Sequence, residues 1–292
     1  MRTGLGILLI LAALAPVPLL VHSDFWLNFA IMALYYGFLG QAWNILGGFG
    51  GQFSFGHAAF FGTGAYASAV LQTRFGVDPW LCLVIAGILG GIVGTAIGAL
   101  SFRYGLRGSY FALVTLAFAE VFRILANSLT VLGAGVGVQI SLRQSAANFQ
   151  FPGKAGFYFV ALTLTAAGLA AAWYLEHSRF GARLVAVREN EDAARALGVD
   201  VFGTKLIAIA ISGALMALGG TFYAQYFLYI DPSIAFGPIS AVMRPCGMAK
   251  LTSATALRPP KLFSTLSSSR IMWPTAPHGA RMPWRGRANR RA

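Results

Sequence analysis

Long apolar runs separated by short polar breaks constrain this chain more than any other feature. A bilayer core about 30 Å thick is crossed by about 20 residues of α-helix. Runs near that length fall at residues 4–21, 25–46, 55–72, 80–102, 109–132, 157–175 and 204–229. Hydrophobic residues make up 57% of the chain and charged residues 11%, proportions that suit helices facing lipid and not a water-soluble core. The expected class is therefore all-α, a polytopic membrane helical bundle of about seven transmembrane helices. The first run follows a lone Arg2 and has no small-residue cleavage site before the next run. It reads as a retained helix and not as a removed signal peptide, although Pro16 and Pro18 fall inside it.

The net charge of +13 would by itself suggest nucleic acid or anionic lipid as a partner. Its distribution says otherwise. Residues 1–243 hold 12 Lys/Arg and all nine Asp/Glu, whereas residues 244–292 hold ten Lys/Arg and no acid. The body is thus nearly balanced, and membrane lipid, not nucleic acid, is its expected surrounding. Positive residues stay preferentially on the cytoplasmic side. With the N-terminus inside, the cytoplasmic segments carry Arg2, Arg103, Arg107, Arg179, Arg183, Arg188, Arg195 and Lys205, and the outer loops carry Arg74, Arg143 and Lys154. The same parity sends the basic tail outside, against the rule. Cys82 in an apolar run and Cys246 in the tail form neither a disulfide framework nor a metal set, and no cofactor is expected.

Glycine spacing shows where helices are expected to meet. In IAGILGGIVGTAIGAL, Gly87 and Gly91 are four apart, and Gly90, Gly94 and Gly98 repeat that spacing. Such a groove lets another backbone approach, which is how helices associate in lipid, so this helix is expected near the centre of the bundle. A second glycine-rich stretch, NILGGFGGQFSFGHAAFFGTGAY (44–66), interrupts apolar sequence at a helix junction and includes Gly51, Gly56 and Gly62. Broken backbone at membrane depth is tolerated only where it packs on protein or lines a cavity. His57 within it suits a proton carrier or ligand, and equally a hydrogen-bonded structural histidine.

The longest polar stretch of the body is EHSRFGARLVAVRENEDAARALGVDVFGTK (176–205), expected in the cytoplasm. Its middle reads as a short capped helix. Asn190 is the N-cap, Glu191 and Asp192 place negative charge at the positive end of the helix dipole, Arg195 sits near the other end, and Gly198 suits the left-handed C′ position. A helix of about seven residues is not stable alone, so it is expected to dock on something; an ordinary solvated loop is the alternative. Glu120 and Arg123 lie three apart in the fifth run and can pair on one helix face. Charge at membrane depth is costly, so the pair faces the bundle interior or a pathway, or makes a structural bridge nearer the interface. The chain holds no P-loop, HExxH or paired CxxC motif, and no enzymatic chemistry is expected.

Three stretches carry a family resemblance: NILGGFGGQFSFGHAAFFGTGAYASAVL, GLRGSYFALVTLAFAEVFR and SRFGARLVAVRENEDAARALGVDVFGTKLIAIAISGALMALGGTFYA. Together they resemble the permease of branched-chain amino acid ABC importers, the LivM type, over about residues 25–242. The resemblance implies an inner-membrane subunit that pairs with a homologous permease, two cytoplasmic ATP-binding subunits and a periplasmic substrate-binding protein. It also implies that EDAARALG fits a groove on the ATPase, with Glu191, Ala194 and Gly198 as coupling residues. Branched-chain amino acids are then the expected solute, with urea or short amides as an alternative. A secondary transporter with an ion-coupled midplane site at Glu120 and Arg123 is the rival from another class.

At PISAVMRPCGMAK (238–250) the character of the chain changes. Beyond Arg244 no apolar run exceeds three residues, so residues 244–292 are expected to be a disordered Arg/Pro/Ser-rich tail. A frameshift product is the expectation for it; a natural basic arm for anionic lipid is the alternative.

Overall fold

From residue 24 onward, several helices begin where a side chain caps them. After a short turn, α1 (Val17–Leu20), the chain forms α2 (Asp24–Asn44), α3 (His57–Phe75), α4 (Pro79–Arg103), α5 (Gly108–Ser128) and α6 (Lys154–His177). Then come α7 (Arg179–Glu189), α8 (Glu191–Ala196), α9 (Val201–Phe227) and α10 (Pro232–Phe236). The Asp78 carboxylate accepts a hydrogen bond from Trp80 N at 2.8 Å, and Pro79 at the first helical position needs no donor partner. Asp200 caps α9 through Gly203 N at 3.0 Å, and Asp231 caps α10 through Ser233 N and Ile234 N. The computed structural model describes residues 9, 11–21, 23–142, 145 and 148–237. Residues 4–8 and 10 of the first apolar run, Arg143, and the tail expected over 244–292 lie outside the described residues.

Among the described residues five helices are long and apolar enough to cross a membrane: α2 with its π-helical extension to Phe49, α4, α5, α6 and α9. The run at 55–72 becomes α3, whose 19 residues reach about 28 Å at 1.5 Å per residue. It lacks the hydropathy of the other five because other helices surround it. Residues from His57 to Tyr66 are buried almost without interruption, so small and polar side chains such as Ser68 and Thr63 replace lipid-facing ones.

At the centre stands α9, packed most extensively on α4 and α3. The glycine groove of α4 is the contact surface, as its spacing implied. A β-carbon at Gly90 would come 2.6 Å from the Gly213 carbonyl oxygen, and one at Gly94 would come 2.8 Å from that of Ile209. On the α3 side, Gly64 abuts the backbone of Ala217 and Gly220 abuts that of Phe61. Hydrogen bonds add to this close packing: Ser212 Oγ donates to Ala42 O at 2.7 Å, joining α9 to α2, and Gln225 Nε2 donates to Gln72 Oε1 at 2.6 Å, joining α9 to α3.

The connections sort by end, as the crossing parity requires. At one end, Arg188 of α7 donates to Gly48 O at 3.0 Å, and Arg107 before α5 meets Glu191 of α8. At the other, β1 (Val138–Gln139) pairs antiparallel with β2 (Tyr229–Ile230), in register Val138↔Ile230, and Arg74 donates to Thr130 O at 3.1 Å. Every described segment assigned to one side by its place in the crossing order meets only its own side in these contacts.

Candidate functional site

The polar stretch 176–205 folds into the strap α7–α8–α9, and α8 has the capped form its residues imply. Asn190 Oδ1 accepts from Asp192 N and Ala193 N, both at 3.0 Å. At the other end Gly198 has φ +80°, its N–H donates to Arg195 O, and Val199 N donates to Ala194 O, each at 3.0 Å. These two bonds form a Schellman motif, which occupies carbonyls the helix end would otherwise leave free. Ala194, the third residue from the C-terminus of α8, is buried against Val187 of α7 and Val201 of α9, with Val199 packed beside it.

Glu191 anchors the strap electrostatically. Its carboxylate is bridged by Arg107 Nε at 3.0 Å and by Lys205 Nζ of α9. The Glu191 side chain is 11% exposed and that of Lys205 4%, while Arg107 remains half-exposed. Lys205 Nζ also lies 5.3 Å from the centre of the Phe102 ring, a cation–π contact at the end of α4. Three segments distant in sequence are thereby tied to one carboxylate. The surface α8 and its C-cap leave open consists of Asp192, Ala193, Arg195, Ala196 and Leu197, with Arg195 Nη1 paired to Asp192 Oδ1 at 3.1 Å and Leu197 83% exposed.

The three residues read as a coupling set therefore divide. Glu191 and Ala194 face the chain's own body and hold the helix in place. Gly198 stands at the open end, where an added β-carbon would meet nothing within 4 Å. Reading the sequence missed Arg107 and Lys205 as partners, having counted them only as loop charges. The signal was present in Lys205, a lone cation five residues past the Asp200 cap of an apolar helix, which requires a counter-charge.

The glycine-rich junction packs on protein. After α2, a π-helical turn over Ile45–Phe49 leads to Gly51 at φ +63°, where a β-carbon would overlap the Arg188 stem. Gly56 lies against α5: its N–H donates to Thr115 Oγ1 at 3.3 Å, and a β-carbon there would strike the Thr115 carbonyl. Gly62 accommodates the ring of Phe236 from α10. His57 is fully buried, with Nε2 2.9 Å from Ser212 Oγ. Because Ser212 donates to Ala42 O, its oxygen accepts from His57 Nε2–H, and the three residues join α3, α9 and α2. This geometry is that of an interhelical tie.

Glu120 and Arg123 do pair, through Arg123 Nε to Glu120 Oε2 at 2.8 Å and a second bond between Nη2 and Oε1. The pair does not face the interior of this chain. The side chains are 51% and 37% exposed, on the outer face of α5. Among the described residues, no group of three or more His, Cys, Asp or Glu comes together that could hold a metal ion.

Residues 25–244 match the family described as branched-chain amino acid transport system / permease component. Among curated relatives, the chain is 30% identical over 248 residues to the high-affinity branched-chain amino acid transport system permease protein LivM of Escherichia coli (strain K12), covering 74% of this chain and 58% of that one. It is 29% identical to the LivM of Salmonella typhimurium, covering 70% and 53% respectively. It is also 28% identical to the nucleoside ABC transporter permease protein NupC of Lactococcus lactis subsp. cremoris, over 60% of this chain and 59% of that one. The chain thus spans a little over half the length of the relatives it matches, and no solved structure matches it significantly. An α-helical bundle with several membrane-crossing helices, a capped strap at one end and a match over three quarters of the sequence place this chain in the family of branched-chain amino acid transport permeases.

Proposed function

We propose that this chain is the permease subunit of an ABC importer that carries branched-chain, neutral hydrophobic amino acids across the bacterial inner membrane. ATP hydrolysis in two cytoplasmic partner subunits drives the cycle, a homologous permease completes the pathway, and a periplasmic binding protein delivers the solute. The N-terminus and the α7–α8 strap lie on the cytoplasmic side, where the excess of Arg and Lys favours them.

The anchored strap is the observation that carries this reading. A six-residue helix is too short to be stable alone, yet α8 is fixed by two caps, a buried alanine and a buried carboxylate, and it offers Ala193, Ala196 and Leu197 outward. An ATPase closing on that surface pushes α8 as a rigid piece. Glu191 passes the displacement to Lys205, in the central helix α9, and to Arg107, at the start of α5. Because α9 holds α3 and α4 through backbone-to-backbone contacts, its movement carries them with it, and the bundle rocks between outward- and inward-open forms.

The test is uptake by the transporter reconstituted in lipid with its partner subunits. Leucine should enter only with ATP, and Gly198→Trp should uncouple ATP hydrolysis from uptake while Gly198→Asn, which tolerates the left-handed conformation, does not. Undiminished coupled uptake by Gly198→Trp would remove the strap from the mechanism. Uptake without any ATPase would favour an ion-coupled secondary transporter. A second substrate reading, a nucleoside, draws support from the similarity to the Lactococcus lactis permease, and competition of leucine uptake by uridine separates the two; urea or a short amide is tested in the same assay.

A further inference from the structure

α5 is the most strongly amphipathic of the long helices, and its exposed side carries Glu120 amid apolar residues such as Leu113, Leu116, Val121 and Ile124. At 100° per residue Ser109, Leu113, Leu116, Glu120, Ile124 and Asn127 share that face, and all are exposed. Glu120 lies about 18 Å from one end of the helix and about 12 Å from the other, at 1.5 Å per residue, so it sits at membrane depth. Each Glu120 oxygen is held by Arg123, while Arg123 Nη1 has no protein partner among the described residues. Lipid tails cannot solvate such a pair. Water and a polar solute can.

We propose that Glu120 and Arg123 form the head-group subsite for a zwitterionic amino acid. Arg123 takes the α-carboxylate, Glu120 takes the α-ammonium, and Leu113, Leu116 and Ile124 lie along the aliphatic side chain. This assignment rests on the amino-acid reading above and names the residues that carry it out. Charge complementarity selects the occupant. The pair has no net charge and a large dipole, which an antiparallel zwitterion matches at both ends. An anion or a cation satisfies one member and confronts the other with a like charge. An uncharged solute uses neither charge.

The experiment uses the assembled transporter in lipid and two leucine analogues as competitors of leucine uptake. Leucinamide keeps the ammonium and lacks the carboxylate; 4-methylpentanoate keeps the carboxylate and lacks the ammonium. Glu120→Gln should weaken inhibition by leucinamide about tenfold and spare 4-methylpentanoate, and Arg123→Gln should do the reverse, as expected for loss of one charged hydrogen bond. Equal losses for both analogues, or full recovery of uptake in the charge-swapped double variant Glu120→Arg/Arg123→Glu, would make the pair structural and overturn the proposal. Leu116→Cys leaves the pair intact and reads the face directly. Its alkylation by a charged thiol reagent should be slowed by leucine, and a thiol that does not react at all would mean that lipid or a partner helix covers the face, which also overturns the proposal. If the wild type takes up no leucine, the transport reading fails. If it does, and both charge variants match it in uptake and in analogue inhibition, the subsite alone fails.

Discussion

Glu191 meets Lys205 at one end of the bundle with 11% and 4% of the side chains exposed, whereas Glu120 meets Arg123 midway along α5 with 51% and 37% exposed. The chemistry is the same and the surroundings are opposite. A buried pair holds segments together, because removing one member strands the other away from water. An exposed pair within one helix ties no other segment of this chain, since both partners belong to α5, and it is left open to whatever lies outside the chain, as the subsite proposed above requires. Position in the fold, not residue type, separates the two roles.

That contrast can be broken experimentally, and the expected effects are graded. The largest belongs to Lys205→Ala, which leaves the largely buried Glu191 carboxylate with only the half-exposed Arg107 as its partner. A loss of about 3–5 kcal/mol is expected for breaking such a pair, read as a lowered thermal midpoint of the purified protein in detergent. The double variant Glu191→Gln/Lys205→Met should recover most of that loss, because no uncompensated charge remains. Next is Asn190→Ala, which removes the cap of α8 and should lower stability by about 1 kcal/mol in the same melt. Arg107→Ala should cost less than about 1 kcal/mol, since its guanidinium is half in solvent, and 1 M salt should narrow its difference from wild type. Smallest of all is Glu120→Gln, which should leave the melting temperature unchanged. A melting temperature lowered as far as by Lys205→Ala would erase the distinction between the two pairs.

The strap shows how far local reading extends. Asn190, Glu191, Asp192, Arg195 and Gly198 were enough to place the cap, the dipole charges and the left-handed stop, because each of those effects acts within four residues along the chain. The family resemblance implied Glu191, Ala194 and Gly198 as coupling residues; in the fold Glu191 and Ala194 turn toward the chain's own body, while Gly198 stands at the open end. Which side of a short helix is covered depends on Val187, Val201, Arg107 and Lys205. None of these lies within the helix itself. The pairing of Glu120 with Arg123 was also legible, being an i, i+3 relation. That it opens outward was not.

The glycines divide in the same way. The spacing of Gly90, Gly94 and Gly98 announced a contact groove without saying what fills it, and the filler is α9, through Ile209, Gly213 and Ala217. For Gly56 and His57 the sequence left open packing on protein or the edge of a pathway, and for His57 a structural hydrogen bond or a carrier role. In the fold they pack on Thr115 and Ser212, 59 and 155 residues away.

By itself, then, the sequence determined the helical class, the approximate positions of the long apolar helices and the capped form of α8. These follow from apolar run length and from capping interactions between near neighbours, which need no knowledge of the fold. Only the tertiary structure decided that α3 is an interior helix, that α8 is fastened through Glu191 to α9, and that one ion pair is buried while the other is exposed. Burial is a property of contacts between segments far apart in sequence, as with Ser212 and Ala42, 170 residues distant, and local chemistry carries no record of them.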